Sequence, residues 1–132
     1  MKFGGRNEIF KGVYISNPKN LRIGYHVRIN RNSDLDAPAQ ISIGNNVVMG
    51  PHVMLITGTH EQGSHQRRAL AAYGKPIAIE AGCWIGAGVF IGPGVTIGAG
   101  SIVSAGSVVM RSMPPDSLIA GNPARIVKQL DP

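Results

Sequence analysis

The feature that most constrains this chain is a six-residue repeat that runs through most of it. Read in steps of six, one position is always aliphatic from Ile79 onward, and the position four residues later is small or β-branched. The aliphatic positions are Ile79, Ile85, Ile91, Ile97, Val103 and Val109, and the four-later positions are Cys83, Val89, Val95, Ser101 and Ser107. The same register appears earlier, at Ile23, Ile29 and Leu35 and again at Ile43, Met49 and Leu55. Because Ile43 follows Leu35 by eight residues, two residues are inserted near Ala37 and Pro38.

This period predicts the fold, because six matches neither an amphipathic helix nor an alternating strand. It suits a coil of triangular cross-section, in which each side is a short strand, each corner is a tight turn and the aliphatic residue points inward. Gly and Asn at the corners tolerate the positive φ of such turns. Three hexads then complete one coil, and neighbouring coils pair as parallel strands. The repeat predicts an all-β solenoid and disfavours the alternative, a chance spacing in a β-sandwich.

Length and composition fit one such domain over residues 1–132. Residues 81–110 carry no charge, but their eight Gly keep a strict period that a lipid-facing helix has no reason to keep, so we expect no membrane insertion. The single Cys83 excludes an intramolecular disulfide and fits a reducing compartment. No basic and then apolar signal segment opens the chain, and we expect a cytoplasmic protein.

The net charge of +6 predicts a surface that attracts anions, for which nucleic acid and a nucleotide cofactor with several phosphates are both candidates. Charge alone does not choose between them. Each inward aliphatic contributes about 1.5–3 kcal/mol, whereas ordering each residue costs about 1–2 kcal/mol. A thin prism is therefore marginal alone, and we expect the outward faces of several prisms to pack together.

The repeat is interrupted after His60, and residues 61–72 fit no hexad. We expect a loop at about 61–76, polar and basic, to leave the solenoid there. A loop on a rigid scaffold is a common place for function, although it can also be a tolerated insertion. His60 occupies an outward-facing position just before this loop and is either functional or a solvated or interface histidine. His26 and His52 fall at turn positions, where a structural role is favoured.

Both ends of the chain depart from the repeat. Residues 1–20 are interpreted as an irregular first coil. Near the other end, Asn122 and Pro123 resemble the N-cap and first residue of a helix. We therefore expect a short C-terminal helix over residues 122–130, with Ile126, Val127 and Leu130 sealing the open end of the prism.

Several segments of the chain together resemble one family. They are IGNNVVMGPHVMLITGTH (43–60), the basic loop with Arg67, PIAIEAGCWIGAGVFIGPGVTIG (76–98), AGSVV (105–109) and MPPDSLIAGNPARIVKQ (113–129). From about residue 20 to residue 130, the sequence is similar to the hexapeptide-repeat O-acetyltransferases of the galactoside, maltose and nodulation-factor type. The resemblance implies a left-handed parallel β-helix, a homotrimer with sites between subunits, and acetyl-CoA as cosubstrate without a metal.

The resemblance also implies roles for individual residues. His60 stands where the family has the general base, which removes a proton from the acceptor hydroxyl before direct attack on the thioester; imidazole suits this task because its ordinary pKa is near 6.5. Asn30 matches an acceptor-site asparagine, and Arg67 belongs to the basic loop at the acceptor. Trp84 matches a tryptophan beside the cofactor channel and is assigned to both substrate and cofactor binding. The remaining cofactor-binding positions are Gly86, Ala87 and Ala105 along the pantetheine arm and Arg111, Arg125 and Lys128 at the phosphate end.

The chain departs from the family pattern at several positions. Ala87 stands where a serine is common, Met110-Arg111 where a Thr-Lys pair is common, and Ala71 where the loop has a carboxylate. The group that orients His60 must therefore be another one, such as Glu61, Asp34 or a backbone carbonyl. Relatives with simple sugar substrates carry an N-terminal helical segment that helps to shape the acceptor site, whereas this sequence starts almost directly in the coils. The resemblance to short members of the family therefore leads us to expect a role in polysaccharide or surface-sugar biosynthesis.

The expected function is acetyl transfer from acetyl-CoA to a hydroxyl of a sugar or surface-polysaccharide precursor, with no nucleic-acid partner. Three alternatives remain open. The first is transfer to the amine of an amino sugar. The second is a γ-carbonic-anhydrase-like metal site, since His60 and His65 have the spacing H-x4-H that this class uses. The third is a non-catalytic β-helix scaffold.

Overall fold

The fold follows the six-residue period. A computed structural model, which describes all residues 1–132, shows a parallel β-solenoid whose coils have three faces. The first face contains β1 (Lys2–Phe3), β4 (Leu21–Ile23), β7 (Ile41–Ile43), β12 (Ile77–Ile79) and β15 (Thr96–Ile97). The second contains β2 (Glu8–Ile9), β5 (Arg28–Ile29), β8 (Val48–Met49), β13 (Trp84–Ile85), β16 (Ile102–Val103), β18 (Ser117–Gly121) and β19 (Ala124–Gln129). The third contains β3 (Tyr14–Ile15), β6 (Asp34–Asp36), β9 (Met54–Ile56), β14 (Phe90–Ile91) and β17 (Val108–Val109).

Two further elements lie outside these faces. A separate two-stranded sheet is formed by β10 (Gly58–Gln62) and β11 (Ala69–Gly74). The only helical segment is a single 3-10 turn at Pro18–Asn20. Accordingly, no helix has the length and apolar character needed to cross a membrane.

The aliphatic position of the hexad fills the interior, as the repeat predicts. Ile43, Ile79 and Ile97 lie directly over one another on the first face, and each is at most 2% exposed. The small four-later residues are also buried near the corners. One of them, Cys83, donates a hydrogen bond from Sγ to the carbonyl of Gly98 at 3.2 Å. Burial away from water raises the pKa of this thiol.

The corners have the backbone geometry that tight turns require. His26 and His52 both have φ of +58°, and Asn46 has φ of +60°. The imidazole Nδ1 of His26 lies 3.1 Å from Oδ1 of Asn46, one coil further along. The prediction that His26 and His52 occupy turns is confirmed, and their contacts are those of corner residues.

The expectation of an irregular first coil over residues 1–20 is wrong. The strands β1, β2 and β3 pair in parallel register with β4, β5 and β6, so Phe3, Ile9 and Ile15 continue the aliphatic ladder. A signal was present in the sequence, because Ile23 follows Ile15 by the same eight residues that separate Leu35 from Ile43. These side chains are partly exposed, Phe3 by 50%, because the second coil packs against only one side of them.

The predicted C-terminal helix over residues 122–130 is also wrong. Asn122 and Pro123 form the turn of an antiparallel hairpin in which β18 pairs with β19 and Gly121 lies opposite Ala124. The strand β18 extends the second face through the pairing of Val103 with Ile119. The strand β19 then pairs with the free edge of β18, whose backbone groups would lack these partners if residues 122–130 formed a helix. Ile126 and Val127 are 46% and 60% exposed and do not seal the prism. Its end is closed by the buried residues Met113, Ile119 and Ala124.

The aliphatic ladder can be tested at two neighbouring residues of β15. Ile97 points inward and is fully buried, whereas Thr96 points outward. Ile97→Ala should lower the free energy of unfolding by about 2–5 kcal/mol, since it leaves a cavity that the stacked coils cannot close. Thr96→Ala, the matched control, should change it by about 0.5 kcal/mol or less. Urea denaturation measures both, and equal effects of the two substitutions would contradict the inward assignment.

Candidate active site

His60 lies on a β-hairpin that leaves the solenoid after the third coil. The predicted extrusion after His60 is present, but it is ordered: β10 and β11 pair antiparallel, with Thr59 opposite Tyr73 and His60 opposite Ala72. The hairpin tip spans residues 63–68 and carries Arg67 and Arg68. The chain enters the hairpin from β9 of the third coil and returns to the first face at β12 of the next coil, so two paired coils anchor its two ends.

The imidazole of His60 is oriented by the main chain of the returning strand. Its Nδ1 lies 2.9 Å from the carbonyl oxygen of Leu70. A carbonyl oxygen can only accept a hydrogen bond, so Nδ1 donates and the neutral ring keeps an unprotonated Nε2. The sequence left three candidates for the group that orients His60: Glu61, Asp34 and a backbone carbonyl. The backbone carbonyl of Leu70 has this role, and neither Glu61 nor Asp34 forms a hydrogen bond with His60.

A pocket of about 340 Å³ adjoins His60. One wall comes from the hairpin and the other from the corner of the preceding coil. Its lining residues are Asp36, Pro38, Gly58, Thr59, His60, Ala72 and Tyr73. Sequence reasoning did not identify Asp36, Pro38 or Tyr73. The available signal was the two-residue insertion near Ala37 and Pro38, which marks the corner that forms this wall.

A second depression, of about 590 Å³, lies on the second face. It brings together Trp84, Gly86, Ala87 and Ala105, four of the residues that the sequence suggested for cofactor binding. Much of the remaining lining is apolar, including Pro51, Ile102 and Leu118. At Gly86 the coils approach so closely that a Cβ atom would lie 2.6 Å from the amide nitrogen of Ala105. Only glycine fits at this position.

Basic residues lie at the C-terminal end of the solenoid. Arg111 and Arg125 line a pocket of about 310 Å³ together with Ser112, Met113, Ala124 and Ile126. Lys128 does not line this pocket and lies opposite Leu118, a residue of the second-face depression. The two guanidinium groups give this end a local positive charge suited to an anion.

The remaining predicted substrate residues do not line the His60 pocket within one chain. Asn30 is half-buried at the end of β5, and its Oδ1 accepts a hydrogen bond from the Arg31 amide at 2.9 Å. Arg67 is exposed at the hairpin tip, where its Nε donates to the carbonyl of Ala69 at 3.3 Å. Trp84 is 56% exposed on the second face. A single chain thus keeps these three residues apart from the pocket at His60.

The spacing of His60 and His65 was one of the alternatives left open by the sequence, as part of a metal site. No group of three or more His, Cys, Asp or Glu side chains is gathered where it could hold a metal ion.

Comparison with known proteins identifies the family. Residues 76–111 match the family model described as bacterial transferase hexapeptide (six repeats). Nodulation protein L of Rhizobium meliloti is 38% identical over 128 residues, a match that covers 92% of this chain and 70% of that protein.

Solved structures agree with this match. A hexapeptide-repeat-containing acetyltransferase of Vibrio cholerae, solved in complex with acetyl coenzyme A, is 39% identical with a TM-score of 0.84, covering 98% of this chain and 73% of the other. A maltose O-acetyltransferase of Clostridium difficile is 32% identical with a TM-score of 0.91, covering 98% of this chain and 71% of the other.

The chain is shorter than these proteins and spans between 54% and 70% of the first three curated relatives that it matches. The identity nonetheless extends over nearly all of its own length and includes both the stacked coils and the hairpin. The chain therefore belongs to the family of hexapeptide-repeat acetyltransferases.

Proposed function

We propose that this protein transfers an acetyl group from acetyl-CoA to a hydroxyl of a sugar or of a surface-polysaccharide precursor. The observation that carries the proposal is the geometry of His60, whose Nδ1 is held by the Leu70 carbonyl while its Nε2 remains free beside a pocket. An imidazole held in this way is prepared to accept a proton. The sugar class draws support from the maltose O-acetyltransferase that this chain resembles.

In the proposed mechanism His60 acts first as a base and then as an acid. Its Nε2 takes the proton of the acceptor hydroxyl as that oxygen bonds to the acetyl carbon and the carbon–sulfur bond breaks. The same nitrogen then returns the proton to the departing sulfur, so the products are an acetyl ester and a free thiol. The Leu70 carbonyl keeps the ring in one orientation and stabilises the imidazolium that forms between these two steps.

The second face supplies the cofactor site in this proposal. Trp84, Gly86, Ala87 and Ala105 form an apolar channel suited to the pantetheine arm, and Arg111, Arg125 and Lys128 offer positive charge to the phosphate end. The relative from Vibrio cholerae, solved with acetyl coenzyme A, supports this choice of ligand. The net charge of +6 is complementary to a cofactor with several phosphates.

The proposed assembly is a trimer with active sites between subunits. The outward residues of the first face are polar or small: Lys2, Arg22, Ser42, Ala78 and Thr96. Most of those on the other two faces are apolar: Val48, Trp84, Ile102 and Leu118 on the second, and Tyr14, Met54, Phe90 and Val108 on the third. The exceptions are Glu8 and Arg28, which pair with each other on the second face, and Asp34 on the third. Two different apolar faces on one prism suit a closed ring in which the second face of one chain meets the third face of the next.

One unsatisfied group supports this arrangement. On the third face, Oδ1 of Asp34 is buried and has no hydrogen-bond partner within the chain. Buried acceptors are nearly always paired, so a partner on a neighbouring chain accounts for it. The same ring would bring Asn30 or Trp84 of one chain toward the His60 pocket of another. We also propose a cytoplasmic location for the protein, because the free thiol of Cys83 fits a reducing compartment.

The role of His60 is tested by substitution. With acetyl-CoA and a panel of neutral sugars, including methyl galactoside, wild-type protein should release free thiol at a rate that depends on the sugar. His60→Ala should lower kcat about 10²–10⁴-fold, the usual contribution of a positioned acid–base group. His65→Ala removes an exposed histidine from the hairpin tip and is the matched control, with kcat unchanged. A His60→Ala enzyme with near-normal kcat would refute the assigned base. Wild type that is inactive with every neutral sugar and also with surface-polysaccharide precursors would refute the proposed function.

The placement of the phosphate end is tested at Arg125 and Lys128. Each alanine substitution should raise the KM for acetyl-CoA by about tenfold, the loss expected for one hydrogen bond to a charged group, and leave the acceptor KM unchanged. Arg22→Ala removes the same charge from the polar first face and should change neither constant. Steady-state kinetics with each substrate varied in turn measures this. An effect confined to the acceptor KM would show that the phosphate end lies elsewhere.

A further inference from the structure

The first face carries a trough that none of the roles proposed above uses. It has a volume of about 680 Å³ and crosses four coils, from Phe3 and Ile23 through Ile43 to Ile79. Neighbouring strands of a sheet lie about 4.8 Å apart, so the trough is about 14 Å long. In the proposed trimer the second and third faces are covered and the first face is open to solvent. The first-face trough is therefore accessible to an extended ligand in that assembly.

Two cations lie next to each other at one end of this trough. Lys2 and Arg22 occupy paired positions of β1 and β4, both side chains are exposed, and neither forms an ion pair within the chain. Like charges at opposite positions of paired strands repel each other, and a bound anion removes that repulsion. The one carboxylate in the lining, that of Glu80, lies at the far end, where its Oε1 accepts a hydrogen bond from the amide of Ala99 at 3.2 Å. The near end is therefore suited to an anion.

Side chains of the third coil hold the arginine in place. Nε of Arg22 donates a hydrogen bond to Oε1 of Gln40 at 2.8 Å, and Nε2 of Gln40 donates to Oγ of Ser42 at 2.8 Å. The two terminal nitrogens of Arg22 have no partner within the chain, and the Ser42 hydroxyl still has a proton to donate, because its oxygen is the acceptor in this contact. Lys2, Arg22 and Ser42 follow one another in register and offer a row of oriented donors.

We infer that the first-face trough is a second binding site for an acidic sugar chain, in which Arg22, Lys2 and Ser42 bind the carboxylate of a uronic acid unit. The inference rests on the proposed function and narrows the acceptor to an acidic polysaccharide or its precursor. A guanidinium binds a planar carboxylate through two parallel N–H donors. Phe3, which is 50% exposed and also lines the trough, offers aromatic surface to the carbon face of a neighbouring sugar ring.

The distribution of charge favours a sugar chain over a nucleic acid. A nucleic acid is bound through many phosphate contacts along a continuous basic groove, whereas this trough has two cations at one end and Glu80 at the other. A chain with a carboxylate on only some of its units matches this arrangement.

The trough also lies close to the hairpin that carries His60. Its lining includes Ala78 of β12, the strand that follows the hairpin along the chain. A sugar chain held in the trough stays on the enzyme between encounters with the active site, which raises the local concentration of its hydroxyls near His60.

Calorimetric titration of trigalacturonate into the protein, in about 0.15 M salt to screen the attraction by net charge, tests the site. Wild type should bind this probe, and Arg22→Gln should weaken the affinity about 10- to 100-fold, as expected when a hydrogen bond to a charged group is lost. Gln40→Glu is the second variant and should have a similar effect, because its carboxylate occupies the guanidinium without removing a cation. Arg31→Gln is the matched control and should change nothing, since Arg31 is exposed in a turn of the same coil outside the trough.

Each other outcome of this titration overturns the inference. Equal losses for Arg22→Gln and Arg31→Gln would show attraction by net charge alone, and equal affinity for neutral galactotriose would show that the carboxylate is not recognised. Tighter binding of single-stranded DNA, lost in Arg22→Gln, would assign the trough to nucleic acid. Wild-type transfer to methyl galactoside without trigalacturonate binding would overturn the inference and leave the proposed function standing. Absence of transfer to every sugar and surface-polysaccharide precursor would overturn both.

Discussion

The stacking of inward aliphatic side chains is the interaction on which the other features of this structure depend. Met49, Ile85 and Val103 lie over one another in parallel register on the second face. Because side chains of a strand alternate between its two sides, this register also fixes the residues that face outward. Trp84 must therefore lie between Val48 and Ile102, and a shift by one residue would bury Trp84 and expose Ile85. The apolar depression proposed for the cofactor is a consequence of the packing of the core.

The residues of the candidate active site lie where the chain departs from the six-residue repeat. The hairpin after the third coil carries His60, and the eight-residue corner between Leu35 and Ile43 carries Asp36. Both departures are anchored to regular coils, so they combine a side chain free to act with a backbone that does not move. The contact between His60 and the Leu70 carbonyl also resolves the absence of a carboxylate at Ala71, because the main chain of the preceding residue provides the acceptor.

The sequence predicted the features that depend on period and not those that depend on local geometry. The inward aliphatic positions and the extrusion after His60 could be predicted because the six-residue repeat extends over many hexads, so its interruption is also visible in the sequence. The C-terminal helix was wrong because Asn122-Pro123 is compatible with a helix start and with a hairpin turn, and the free edge of β18 decided the outcome. The orienting group of His60 depends on the antiparallel register of the hairpin, and Asp36 faces outward where no periodicity marks it. Neither could be read from residue types alone.

The central claim is that coenzyme A lies on the second face of one chain and meets the catalytic hairpin of another. A crystal structure of the protein with coenzyme A tests this most directly. The account predicts three chains around a threefold axis, with the pantetheine arm along Trp84, Gly86 and Ala105 and with contacts from the cofactor to two chains. A cofactor bound against a single chain, or on the polar first face, would contradict it.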